Sequence, residues 1–151
     1  MSNFTGSSSS VCRLEAYVCF KVKYCHEVFD FMGFRSRCEQ IFYSVAEQEG
    51  FSPNEMGFDR DHVHFILKWR IDQSISGVAK KLKGTSGKYL LREFPQIKKK
   101  YFYGSGLWSP TIYCDAVGRD PEQMTNYVRK QAFHGKKFQR SLTEFTNAGG
   151  L

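Results

Sequence analysis

Residues 61–69, Asp61-His62-Val63-His64-Phe65-Ile66-Leu67-Lys68-Trp69, alternate as a β-strand does, and no other stretch constrains the fold as tightly. On a strand, residues i and i+2 point to one face. His62 and His64 therefore project side by side, while Val63 and Phe65 face the other way. Two imidazoles on a rigid backbone supply two thirds of an open divalent-metal site. The same pattern also describes a polar strand face turned to water, so the pair alone does not decide. The chain holds 4 histidines, and this tripeptide carries two of them.

Periodicity places the remaining elements around this strand. Leu14 to Tyr24 alternates and is rich in aromatic and β-branched residues, which predicts a strand. Ser36 to Gln48 sets Cys38, Ile41, Phe42 and Val45 at helical spacing, and Gly50 ends that helix. Phe51 to Phe58 is a weaker strand interrupted at Pro53, and Asp59-Arg60-Asp61 turns it into the histidine strand as a hairpin. Ser74 caps a second helical region reaching Leu91, with Ile75, Val78, Ala79 and Leu82 as its apolar stripe. Gly84 and Gly87 predict a kink or break in it, and Phe94-Pro95 closes it. Tyr101 to Val117 holds one or two strands around Gly104-Ser105-Gly106. The order β-α-β-β-α-β-α predicts an α+β fold: an antiparallel sheet with helices on one face, the ferredoxin/RRM-like plait. Residues 1–12 read as a disordered tail, 13–134 as the domain, and 135–151 as a C-terminal tail. In that tail Phe138, Leu142 and Phe145 have the spacing of a short docking helix.

The last helix of the domain begins at Asp120, a suitable N-cap, with Pro121 at the first helical position and Gln123 completing a capping box. Tyr127 and Gln131 lie four apart and share a face. A phenol and an amide oxygen together are consistent with a nucleophile and a third metal ligand. Taken singly, a core or interface tyrosine and a solvated glutamine explain them as well.

Five segments in order resemble the HUH-type single-tyrosine transposases of small insertion sequences, named for a His-hydrophobic-His motif. They are Tyr17 to Val28 (YVCFKVKYCHEV), Asp61 to Leu67 (DHVHFIL), Val78 to Pro95 (VAKKLKGTSGKYLLREFP), Leu107 to Gly118 (LWSPTIYCDAVG) and Asn126 to Gln131 (NYVRKQ). The resemblance spans residues 14–134. It implies the HUH endonuclease fold, a homodimer joined through its sheets, and cleavage and rejoining of single-stranded DNA at hairpin-bearing element ends. It makes Tyr127 the catalytic nucleophile, forming a 5′-phosphotyrosine intermediate, and His62, His64 and Gln131 the ligands of a divalent ion, Mg²⁺ or Mn²⁺. Asp61 either orients an imidazole from behind or caps the hairpin turn. Lys130, three residues beyond Tyr127, either favours phenolate, contacts phosphate or is solvated. No nucleotide cofactor is expected: Gly87-Lys88 mimics a phosphate loop, but Leu82 occupies the first glycine position and Tyr89 that of the Ser/Thr.

A formal net charge of +7 favours a polyanionic partner. Lys80, Lys81, Lys83, Lys88, Arg92, Lys98, Lys99 and Lys100, interleaved with Tyr89, Tyr101, Phe102 and Tyr103, form the candidate DNA surface, with cations on phosphates and rings on unpaired bases. A solvated lysine face over a buried aromatic edge is the plainer alternative. The 5 cysteines show no metal-binding spacing and suit reduced thiols in the cytoplasm, with Cys19 and Cys114 in the core. No apolar run approaches a membrane span. The competing readings are another HUH nuclease, a replication initiator or relaxase fragment, and a non-enzymatic nucleic-acid-binding plait. The first kind commonly adds a third histidine, for which His26 and His134 are poorly placed, and the aromatic signature of the second is missing.

Overall fold

The computed structural model describes residues 5–7, 10–12 and 14–116. Two short strands, β1 (Thr5–Ser7) and β2 (Ser10–Cys12), pair antiparallel. They lie within residues 1–12, which the sequence reads as a tail. A serine-rich stretch lacks the side chains for a core, but its backbone can still form a ladder, here with Thr5 opposite Cys12.

The main sheet has four strands in the order β4 (Ser52–Phe58), β5 (His62–Lys68), β3 (Glu15–Val22), β6 (Trp108–Ala116). Every pairing is antiparallel. The histidine strand β5 is thus central and pairs with β4 as the predicted hairpin. Among the described residues three α-helices accompany the sheet: α1 (Phe34–Glu49), α2 (Ile75–Glu93) and α3 (Pro95–Tyr101). Gly50 ends α1 in the left-handed region at φ 79°, its N–H donating to Ala46 O.

One sheet face forms the main core. Val18, Phe20 and Val22 of β3 and Val63, Phe65 and Leu67 of β5 pack with Phe34, Cys38, Ile41 and Phe42 of α1 and Val78, Leu82 and Leu90 of α2. Phe20 sits among aromatic edges, with ring centroids 5.2 Å from Phe65, 5.8 Å from Trp108 and 5.9 Å from Phe42. The opposite face holds a smaller cluster of Tyr17, Cys19 and Ile66, beside the histidines.

Two expectations are corrected, and one helix is added to them. Helix α2 runs unbroken through Gly84 and Gly87. Its packing outweighs the roughly 1 kcal/mol that each glycine costs. Ser86 Oγ donates to Leu82 O at 2.5 Å and accepts from Trp108 Nε1 at 2.8 Å. The Trp108 indole packs on the helix at Gly87, where a methyl would stand in ordinary contact 3.5 Å from Trp108 Cδ1. Pro95 closes α2 but also opens α3, which the periodicity did not show: a helix of 7 residues is too short to display a stripe, and buried Ile97 with half-buried Tyr101 anchors it. Cys114, expected in the core, is exposed: among the described residues β6 is the strand that follows residue 101, and it lies at the edge of the sheet, whereas Cys19 on central β3 is buried. Among the described residues no helix is long and apolar enough to cross a membrane.

Candidate active site

The Asp59–Asp61 turn sets the geometry of the site. Asp59 N–H donates to His62 O at 2.9 Å, and Arg60 N–H donates to Asp59 Oδ1 at 2.8 Å. Asp61 O accepts from Val22 N–H at 2.8 Å, tying the turn to β3. The Asp61 side chain is fully buried, and its Oδ1 lies 3.0 Å from His62 Nδ1. A proton on Nδ1 directed at that carboxylate leaves the Nε2 lone pair of His62 for another partner.

His62 and His64 share a face, with ring centroids 5.9 Å apart, and both are buried. Across the sheet His62 is opposite Lys21, and His64 lies between Cys19 and Gly57. The ring of Tyr17 is 6.4 Å from that of His64. Both nitrogens of His64 are buried without a hydrogen-bond partner. A buried polar atom left so is costly in a finished core and suits a site that takes a ligand. Burial, with neighbouring His62, pushes the His64 imidazole down to about 4, against a smaller upward pull from Asp59. His64 is therefore neutral at physiological pH, the form that ligates a metal.

Two residues of this site carried no role in the sequence reading. Asp59, read only as a turn residue, places Oδ2 4.0 Å from His62 Nε2, and that oxygen is buried without a hydrogen-bond partner. The signal was its position three before His62 at the end of a tight hairpin. Gly57 is the second. A methyl there would lie 2.4 Å from His64 Nε2 and 3.1 Å from two ring carbons. A bulge brings Gly57 opposite His64: the register slips between Asn54 and Gly57, with Glu55 at φ 51°. Burial pushes the Cys19 thiol, opposite His64, up to about 12, so it stays protonated. The described residues contain no cluster of three or more His, Cys, Asp or Glu able to hold a metal. Tyr127, Lys130 and Gln131 lie outside the described residues.

The candidate DNA surface divides. Lys80, Lys88, Arg92 and the α3 residues Lys98, Lys99 and Lys100 are exposed, as is Tyr103. Lys81 is ion-paired with Glu49. Lys83 is half-buried and donates to Ser109 O at 2.7 Å and Thr111 O at 2.9 Å, fastening α2 to β6. Burial holds its ammonium below the usual lysine range. Between α2 and residues 106–112 lies a groove of about 580 Å³, mostly apolar, with Lys80, Lys83 and Lys88 among its lining.

Residues 10–131 match the family model described as IS200-like transposase, a span that includes Tyr127 and Gln131. The chain is 34% identical over 123 residues to the ISDra2 transposase TnpA of Deinococcus radiodurans, covering 80% of this chain and 86% of the relative. It is 31% identical over 71 residues to the transposase of insertion sequence IS200 from Salmonella typhimurium, about half of either chain (47% and 46%). A crystal structure of a candidate transposase from Deinococcus radiodurans R1 superposes with a TM-score of 0.68 at 25% identity, over 84% of this chain and 97% of that one. A REP-associated tyrosine transposase bound to a REP hairpin shares the fold, with a TM-score of 0.54 at 13% identity, over 80% and 68% of the two chains.

Proposed function

The chain belongs to the IS200-like transposase family, and on that footing we propose that it is a metal-dependent tyrosine transposase that cuts and rejoins single-stranded DNA at hairpin-bearing element ends. The observation that carries the reading is the buried pair on β5: His62 held through Nδ1 by Asp61, and His64 beside it, neutral and with neither nitrogen spoken for.

The donor set fits a divalent cation. His62, His64 and Gln131 would hold Mn²⁺ or Mg²⁺, which supplies Lewis acidity toward a phosphate oxygen when bound. Asp61 holds the His62 ring through Nδ1, with Nε2 on the side of the Asp59 carboxylate. Gly57 keeps the space that the His64 ring occupies. Tyr127 is the nucleophile: its phenolic oxygen bonds to the phosphorus, the bond from phosphorus to the 3′ oxygen breaks, and that oxygen leaves as a 3′-hydroxyl, taking up a proton. The phenol gives up its own proton in the attack, which calls for a nearby positive charge, since a free phenol ionises near pH 10. The 5′-phosphotyrosine keeps the energy of the broken ester, so the reverse step rejoins DNA with no nucleotide cofactor.

The partner is a second copy of the chain. In the proposed homodimer each site joins His62 and His64 of one protomer with Tyr127 and Gln131 contributed by the second copy. The test mixes a His64→Ala chain with a Tyr127→Phe chain, each inactive alone. A shared site regains cleavage on mixing, because one of the two sites in the heterodimer is whole. Absence of rescue, with subunit exchange confirmed, contradicts sharing. Cleavage by either variant alone contradicts the residue roles.

A further inference from the structure

Beyond the histidine strand, the corner after β3 is the most unusual piece of backbone in the described chain. Tyr24 and Cys25 both adopt left-handed conformations, at φ 63° and φ 56°. Residues other than glycine avoid this region, and two in succession store strain that the surroundings must hold. The result is an outward-facing ring: Tyr24 is 64% exposed. Strain that turns a large aromatic into water gains no burial in return, so its benefit lies in what the ring meets.

The neighbours extend the surface. His26 lies against Tyr24 at 5.9 Å between centroids and against Tyr101 of α3 at 4.3 Å. Buried Phe102 backs His26 edge-on at 5.4 Å. Cations sit over the outer rings, with Lys23 Nζ 5.6 Å from the Tyr24 centroid and Lys100 Nζ 5.1 Å from that of Tyr101. Lys98 and Lys99 are exposed on the same short helix. The nearby acids are already matched: Glu27 and Asp30 pair with Arg60, and Asp30 also pairs with Arg35. What is left is a row of three rings edged by unmatched positive charge. That is the composition of a surface for a single nucleic-acid strand, with rings for the bases and cations for the phosphates.

Its place links it to the site. Lys21, three residues before Tyr24, pairs with His62 across the sheet. Three residues span at most about 10 Å. Val22 and Phe29 both donate backbone hydrogen bonds into the Asp59–Asp61 turn, to Asp61 O and Arg60 O.

We propose that Tyr24, His26 and Tyr101 form a stacking site for unpaired bases of the DNA strand that leads to the histidine pair. It rests on the reading of the chain as a single-strand nuclease and adds where the strand lies. The site takes bases of any identity, since stacking uses the faces of the rings and not the edges of the bases.

The test uses the full chain carrying Tyr127→Phe, so that DNA is bound and not cut. Fluorescence anisotropy measures affinity for a labelled hairpin with blunt ends, the same hairpin with a single-stranded extension at its 5′ or 3′ end, and a perfect duplex. One extension should tighten binding, and Tyr24→Ala should lower affinity for that probe roughly tenfold with no change for the blunt hairpin or duplex. Tyr24→Phe should retain the affinity. Tyr24→Gly separates stacking from folding: it relieves the left-handed strain, so its melting temperature should hold or rise while its affinity falls as in Tyr24→Ala. Wild-type affinity of both the Ala and Gly variants for every probe overturns the proposal. An equal loss on blunt hairpin and duplex also overturns it, since that is phosphate contact alone. Covalent adduct formation by the otherwise wild-type chain is scored separately. An adduct with no Tyr24 effect on binding removes the stacking site and leaves the nuclease reading, whereas a Tyr24 effect without an adduct does the reverse.

Discussion

Gly57 stands directly across the sheet from His64, and a methyl group there would sit 2.4 Å from the imidazole Nε2. The ring lies over backbone that bears no side chain, so the residue type at 57 sets where the His64 Nε2 points. The strand bulge at Glu55 and the glycine form one device: the first sets the register and the second clears the space.

Gly57→Ala therefore displaces the His64 ring. Calorimetry should show Mn²⁺ affinity falling about 10–100-fold, the range for changes behind a ligand. Overpacking should also cost about 1–3 kcal/mol of stability. Adding His64→Ala to Gly57→Ala should recover most of that cost, because the clashing ring is gone. Unchanged Mn²⁺ affinity together with simple additivity of the two substitutions would contradict this account of the pair.

A pH effect follows from the same burial. The folded His64 imidazole is pushed down to about 4, while in the unfolded chain it titrates near 6.5. Between those values the unfolded state binds a proton that the folded state refuses. Metal-free protein should thus lose stability as pH falls from about 6.5 to about 4 and show no further His64 contribution above or below. The full loss is on the order of 3 kcal/mol. Urea unfolding in chelator, compared with His64→Ala, isolates the effect, since other groups cancel in the difference. Identical slopes for the two proteins would remove His64 as the cause.

Ser86 joins α2 to the first residue of β6 through the Trp108 indole at 2.8 Å. Both residues are buried, so Ser86→Ala leaves the indole N–H without its acceptor and should cost about 1–3 kcal/mol. Trp108→Phe in the same background should add less than it does alone. Urea denaturation of the single and double variants measures this, and full additivity would mean that the hydrogen bond contributes nothing.

The legible part of the chain is the part written in side-chain period. The alternation from Asp61 to Trp69 predicted β5 and put Val63 and Phe65 in the core opposite the histidines, as the two core clusters show. The stripe from Cys38 to Val45 and the stop at Gly50 predicted α1 to within two residues at its start and one at its end. What escaped depends on contacts between distant segments. Gly87 loses its signal as a kink because the Trp108 indole packs on it, and at Gly84, where no side chain packs, the buried Leu82 and Ser86 on either side carry the helix through. Cys114 reads like Cys19 by pattern, but only strand order makes one an edge residue and the other central. Of the candidate site, the imidazoles were visible as a motif. Asp59 was not, because its approach to His62 depends on how the turn closes. Gly57 was not, because its meaning depends on a bulge that no composition rule reveals. The corner at Tyr24 was legible only as part of a family resemblance, since left-handed tyrosine runs against every local preference.

The most direct measurement of the proposed chemistry is the identity of the protein atom joined to DNA. Single-stranded oligonucleotide carrying a hairpin from the ends of the element is incubated with the chain and Mn²⁺, resolved under denaturing conditions, and the linked peptide identified by mass spectrometry. The expected result is a 5′-phosphate on the peptide containing Tyr127, released with a free 3′-hydroxyl, and no adduct with Tyr127→Phe although that variant binds the hairpin normally. An adduct that persists in Tyr127→Phe, or cleavage that leaves no DNA end bound to protein, would contradict the assignment.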